Sequence, residues 1–166
     1  MNRFLLGATC CAFSLASAAG AQTKISGTVQ CTKPQPVAST DVGDHPGHAM
    51  MLAKGACTWS QPMEIEGAKT QNDSIVFLTE VTSRRITSTG AIVGTLDNGD
   101  KMFVSIHDSA PVAEGKPGAG QGTFVLTGGT GKLKGIRGKG TYTLSFGEDG
   151  TATSQVEGEY QMPAAK

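Results

Sequence analysis

Apolar residues in this chain alternate with polar ones at a spacing of two, and no stretch carries them at i, i+3, i+4 and i+7 over three turns. Ile25, Val29 and Cys31 share one parity, as do Ile75, Phe77 and Val81, then Met102, Val104 and Ile106, then Phe124 and Leu126, then Tyr142, Leu144 and Phe146. Side chains two apart lie on one face of an extended strand. The pattern predicts an all-β chain and nearly excludes helix. The abundance of Gly, Thr and Ser, with no long runs of Ala, Leu, Glu and Lys, agrees with it.

Turn chemistry separates these segments. In Asp97-Asn98-Gly99-Asp100 the Asn-Gly pair can supply the two positive φ angles of a type I′ hairpin, so a strand over 90–96 is expected to return at 101–107. Gly115-Lys116-Pro117-Gly118, Gly128-Gly129-Thr130-Gly131 and Glu148-Asp149-Gly150 mark further reversals. About eight strands follow as a meander, near 24–33, 48–59, 74–82, 86–96, 100–108, 121–128, 132–146 and 151–161. A meander favours a closed antiparallel barrel, because closure removes the exposed edges. Gly135, Gly138 and Gly140 read as bends or bulges at a barrel corner. Residues 129–132 lack the GxxxxGK[ST] spacing and the following helix of a phosphate loop.

The N-terminus has the form of a secretory signal peptide. Asn2 and Arg3 precede an apolar stretch from Phe4 to Leu15 and the small-residue run Ala16-Ser17-Ala18-Ala19-Gly20-Ala21. The expected organisation is a signal peptide over 1–21 and one β-barrel domain over 22–166, exported to the periplasm or the extracellular space. A lipoprotein acylated at Cys10 or Cys11 is the alternative, and it lacks the usual Leu and small-residue tripeptide before the cysteine. With Arg3 removed from the 14 basic residues, 13 stand against 14 acidic ones. That near-neutral balance argues against nucleic acid as a partner. No later apolar stretch is long enough to cross a membrane as a helix. Cys31 and Cys57 remain as one expected disulfide in an oxidising compartment, with two buried free thiols as the alternative.

The run Phe124-Val125-Leu126-Thr127-Gly128-Gly129-Thr130-Gly131-Lys132-Leu133-Lys134-Gly135-Ile136-Arg137-Gly138-Lys139-Gly140-Thr141-Tyr142 resembles the signature of the allene oxide cyclase-like and dirigent-like barrels. In both, an apolar strand leads into a GGTG or GGSG turn, a basic residue, a hydrophobic one and a Gly-rich continuation. The chain as a whole looks closer to bacterial exported members of that superfamily than to the plant ones. The resemblance implies an eight-stranded, calycin-like barrel, trimeric in many plant members, whose interior holds an apolar ligand or reactive intermediate. It implies no reaction and assigns no catalytic residue, because the motif is a turn and a barrel bend.

Residues 41–51 collect His45, His48, Asp41, Asp44, Met50 and Met51. Imidazoles suit zinc, copper or nickel, and thioethers add a preference for Cu(I). His45 and His48 are therefore the candidate metal ligands, against the alternative of a solvated loop with Met50 or Met51 in the core. A reversal centred on Asp44 would set Cys31 opposite Cys57 and Val29 opposite Trp59, with the disulfide pinning a long loop over one barrel mouth. Trp59, Phe103, Tyr142 and Tyr160 are the larger rings available to a pocket. His107 beside Asp108 has the composition of an acid–base pair at a strand end. The candidate ligand-binding set is His48, Trp59, Phe103, His107 and Tyr142. Glu64 and Glu66 stand two apart on a possible short strand, with solvent as their expected environment. Arg84-Arg85 and the series Lys132, Lys134, Arg137 and Lys139 read as solvated surface. No cofactor is expected.

These features predict a non-catalytic module binding a small apolar or amphipathic molecule. The alternatives are an isomerase or cyclase, by the resemblance, then a structural or interaction protein, then a metal-handling protein. A carboxylate or histidine pointing into the barrel beside an apolar pocket would favour the enzyme.

Overall fold

The computed structural model describes residues 22–164, so the signal-peptide reading of 1–21 lies outside the described residues. The period-two segments form strands β1 (Thr23–Cys31), β2 (Gln35–Asp41), β3 (Ala49–Gln61), β4 (Glu64–Ile65), β5 (Ala68–Val81), β6 (Arg85–Leu96), β7 (Lys101–Ala113), β8 (Lys116–Pro117), β9 (Gly120–Gly129), β10 (Arg137–Phe146) and β11 (Ala152–Gln161). The only helical element among the described residues is a 3₁₀ turn over Gly131–Leu133.

Eight of the strands close into an antiparallel ring in the order β1, β3, β5, β6, β7, β9, β10, β11 and back to β1. β1 lies against β3 with Cys31 opposite Cys57 and Val29 opposite Trp59, and the Cys31 and Cys57 sulfurs are bonded. β2, which the sequence pattern does not single out, continues beyond β1 along the same edge of β3 and lies outside the ring with every residue exposed.

The core is the even-parity face of β7, Met102, Val104 and Ile106, together with the matching faces of its neighbours. One end of the ring is plugged. Leu133 and Ile136, carried over it by the 3₁₀ turn and the residues after it, are buried with Ile65, Met63 and Leu96. The segment expected to be strand from 132 thus turns across the barrel end first and becomes β10 only at Arg137.

Gly138 and Gly140 are regular ladder members, paired with Leu126 and Phe124 on one side and with Tyr160 and Gly158 on the other. A Cβ on Gly140 would strike the Phe124 ring, and one on Gly158 would stand 2.6 Å from Phe124 Cζ. Their strand positions are bare so that Phe124 can fill the interior, which corrects the reading of a bend. Gly135, with φ at 84°, does lie in a turn.

The turn types differ from expectation in an instructive way. At 97–99 only Gly99 has positive φ, and Gly99 N donates to Leu96 O while Leu96 N donates to Asp100 O. That is a three-residue connection ending in a left-handed glycine. The two-residue turns with both φ angles positive fall instead at Glu66-Gly67 and Glu114-Gly115, joining β4 to β5 and β7 to β8. A glutamate held at φ near +53° costs free energy that asparagine largely avoids. Glu114→Asn is expected to stabilise the protein by about 0.5–1 kcal/mol. An unchanged urea midpoint would contradict that reading.

Candidate functional site

The end of the ring opposite the plug is open. A cavity of about 690 Å³ enters there between apolar walls supplied by Phe77, Ile86, Ile106, Ala110, Leu144 and Phe146. A smaller void of about 110 Å³ continues below it and shares Ile75, Ile106, Asp108 and Leu144 with it.

One belt of polar groups crosses the interior. Thr79 of β5 pairs with Ser88 of β6, Ser88 with Asp108 of β7, Asp108 with Gly122 of β9, and Gly122 with Tyr142 of β10. The Thr79 and Ser88 hydroxyls are 3.2 Å apart and buried. Tyr142 OH donates to Asp108 Oδ2 at 2.8 Å across Gly122. A Cβ on Gly122 would collide with the tyrosine ring and stand 2.7 Å from Asp108 Cβ, so the bond across β9 requires glycine there. Burial raises the Asp108 pKa above the ordinary carboxylate range, opposed by its hydrogen bonds from Tyr142 and Ser88. Burial and the facing carboxylate push the Tyr142 hydroxyl above the usual tyrosine range.

A second carboxylate lies deeper. Asp73 Oδ2 accepts a hydrogen bond from Trp59 Nε1 at 3.1 Å, while Asp73 Oδ1 is buried without a partner. Burial pushes this carboxyl up to about 6, with the indole bond opposing.

Of the residues singled out from the sequence, Trp59 and Tyr142 face the interior. Phe103 and His107 do not. They have the opposite parity to Met102, Val104 and Ile106, so both project outward, and His107 borders an outer-surface groove of about 500 Å³. The pairing of His107 with Asp108 as an acid–base couple fails for the same reason, since adjacent strand residues face opposite sides of the sheet. His45 and His48 lie in the loop between β2 and β3 at the open end, where Ala49 pairs with Val81 of the cavity wall. Met51 lines the cavity as well. Hydrogen bonds to Asp44 and then Glu80 raise the His48 pKa above its ordinary value.

Glu66 does not share a face with Glu64. It occupies a turn, and its carboxylate accepts a hydrogen bond from Tyr160 OH at 3.0 Å. The basic residues Arg84, Arg85, Lys132, Lys134, Arg137 and Lys139 are exposed. Asp73 escaped the sequence reading, although it has the parity of Ile75, Phe77 and Val81, and Asp108 has that of Met102, Val104 and Ile106. A carboxylate on the apolar parity of a strand is the signal that would have found both.

Fold and site together define a small antiparallel β-barrel with one plugged end, one open end and a polar belt between them. A protein of unknown function from the DUF3224 family of Shewanella oneidensis is similar to it in structure, with a TM-score of 0.50 and 16% identity over 87% of this chain and 100% of that one. At that identity the likeness shows the barrel-like fold alone. No protein-family model and no functionally curated protein matches the chain.

Proposed function

We propose that the chain is an exported binding barrel for a small amphipathic molecule. Its apolar body lies against Phe77, Ile86, Ile106 and Leu144, and a head group able to donate hydrogen bonds reaches Ser88, Asp108 and Tyr142. The observation that carries this reading is the open cavity of about 690 Å³, whose walls are mainly apolar, with Thr79, Ser88 and Asp108 of the belt converging inside it and Thr32, Lys116 and Glu148 also in its lining. Small-molecule sites share that size and that economy of polar contacts. The Cys31–Cys57 disulfide suits an oxidising compartment, and no helix among the described residues is long and apolar enough to cross a membrane. The disulfide supports export.

Native mass spectrometry of protein purified from its own host, with extraction of bound material, tests the reading directly. One small molecule per chain is expected. In parallel, N-phenyl-1-naphthylamine should bind the empty protein with enhanced fluorescence, and both Ala110→Trp and Ile86→Trp should weaken it at least tenfold by filling the cavity. Probe binding that is equal in the wild type and in both variants, with no adduct in the native spectrum, would remove the proposal.

The second reading, an isomerase-type enzyme by family analogy, is favoured by Asp108. Its carboxylate stands at the cavity with a raised pKa, where it could exchange a proton with a bound molecule. The two readings separate on Asp108→Asn. A binding protein loses affinity, whereas an enzyme converts the extracted molecule in the wild type and stops converting it in the variant.

A further inference from the structure

Two imidazoles converge on one carboxylate in the loop between β2 and β3. His45 Nδ1 is 3.0 Å from Asp44 Oδ2, and His48 Nδ1 is 2.7 Å from Asp44 Oδ1. The rings are stacked with centroids 4.7 Å apart, and one ligand atom from each of the three residues falls within 4.8 Å of the others. The second nitrogen of His48, Nε2, is 2.9 Å from Glu80 Oε1. Glu80 comes from β5, opposite Met50 of β3. The loop itself is closed by a bond from Val42 N to His48 O at 2.9 Å, and Gly43 and Gly47 take φ of 86° and 78° on either side of His45 and Pro46.

The contact of His48 Nδ1 with Asp44 places a nitrogen and an oxygen around one shared proton, and His45 Nδ1 stands 3.0 Å from the other oxygen while the His45 backbone N donates to Oδ1. An ion can replace that proton and draw in His45 Nδ1 with small shifts of the same atoms, because bonds of about 2.0–2.2 Å bring nitrogen and oxygen donors to the same centre. Two imidazoles and a carboxylate form a donor set that zinc uses in open sites. Glu80 supplies the contact such sites need beyond the ligands. With the proton of His48 kept on Nε2 by that carboxylate, the Nδ1 lone pair is free for the metal. Met51 turns to the cavity instead, so these donors are nitrogen and oxygen, which suit Zn²⁺ and Cu²⁺ better than Cu(I).

We propose that Asp44, His45 and His48 bind one Zn²⁺ or Cu²⁺ ion at the open end of the barrel, with Glu80 as the positioning residue for His48. The ion would stand over the rim beside Ala49 and Val81, outside the cavity itself. Its place is distinct from the polar belt, so it stands or falls independently of ligand binding within.

Calorimetric titration of chelator-stripped, untagged protein with ZnCl₂, and separately with CuCl₂, tests this. One equivalent per chain is expected. His45→Ala and His48→Ala should each weaken binding at least 100-fold, and Glu80→Gln should weaken it 10- to 100-fold. His107→Ala, on the outer face of β7, should leave it unchanged. Unfolding curves recorded with chelator present confirm that the loop variants keep the fold. Wild-type binding no tighter than that of the His45→Ala/His48→Ala double variant overturns the proposal. So does one-equivalent binding that survives in that variant.

Discussion

Between pH 4 and pH 8 the wild-type protein should lose about 2.5 kcal/mol of stability that the Asp73→Asn variant keeps. The cause is a carboxyl whose ordinary pKa of 3.8 is pushed up to about 6 by burial, with Trp59 Nε1 as its one hydrogen-bond donor. Over that window the folded chain holds a proton that the unfolded chain has released. Stability therefore falls as pH rises through it and levels off once the folded-state group has ionised. A difference of about 2.2 units at about 1.4 kcal/mol per unit sets the whole effect at about 3 kcal/mol, of which about 0.5 kcal/mol is already lost at pH 4, where the unfolded carboxyl is more than half ionised. The surface carboxylates Asp44, Asp149 and Glu159 are held below their ordinary values and act in the opposite direction. They are common to both proteins, so the difference between wild type and variant isolates Asp73. Asparagine resembles the protonated acid in shape and in accepting the indole bond. Urea unfolding at pH 4, 5, 6, 7 and 8 should show the two proteins equal at the acid end, with the variant increasingly the more stable towards pH 8. A pH-independent difference would mean that Asp73 is not the group responsible. An interior carboxylate that costs stability at neutral pH belongs with the chemistry of a cavity more naturally than with the packing of a core.

Asp73 and Asp108 also show what the sequence does and does not make legible. Period-two alternation marks the ring strands, and the same parity rule determines which side chains enter the barrel. Applied to Met102, Val104 and Ile106 it puts Asp108 inside and His107 and Phe103 outside. Reading residue types by their chemistry alone inverts that assignment, because histidine attracts attention wherever it lies. The register of Cys31 with Cys57 is legible because both strand parities and the loop length constrain it. Three things are not. β2 has no apolar face, since among the described residues it pairs only with the edge of β3. Turn type depends on the twist and register of the flanking strands, which is how Glu66-Gly67 and Glu114-Gly115 come to take the backbone expected of Asn98-Gly99. The inward glycines are intelligible only from the rings that fill their space two strands away, as Phe124 does at Gly140 and Gly158.

Gly122 brings that last point to the site, and Gly122→Ala should destabilise the protein by about 3 kcal/mol while weakening occupancy of the cavity at least tenfold. The position is regular strand, paired with Asp108 on one side and Tyr142 on the other, so alanine meets no backbone strain. The cost comes from a methyl group placed where the Tyr142 ring passes on its way to Asp108. Overpacking of this kind costs about 1–3 kcal/mol. Separating the hydroxyl from Asp108 adds about 1–3 kcal/mol, because the carboxylate then loses the Tyr142 donor in a half-buried place. Tyr142→Phe deletes the hydroxyl without the collision and should cost about 1–2 kcal/mol. The double variant Gly122→Ala/Tyr142→Phe tests whether the two act through one bond. The combined loss should fall short of the sum by about the value of the hydrogen bond, since it can be broken only once. Strict additivity would show that Gly122 matters for its own packing and not for the reach of Tyr142 across β9. Naphthylamine fluorescence read on the same three variants then separates stability from binding. If the belt receives the ligand's head group, affinity falls in all three, and in Tyr142→Phe it falls although the cavity wall is otherwise unchanged.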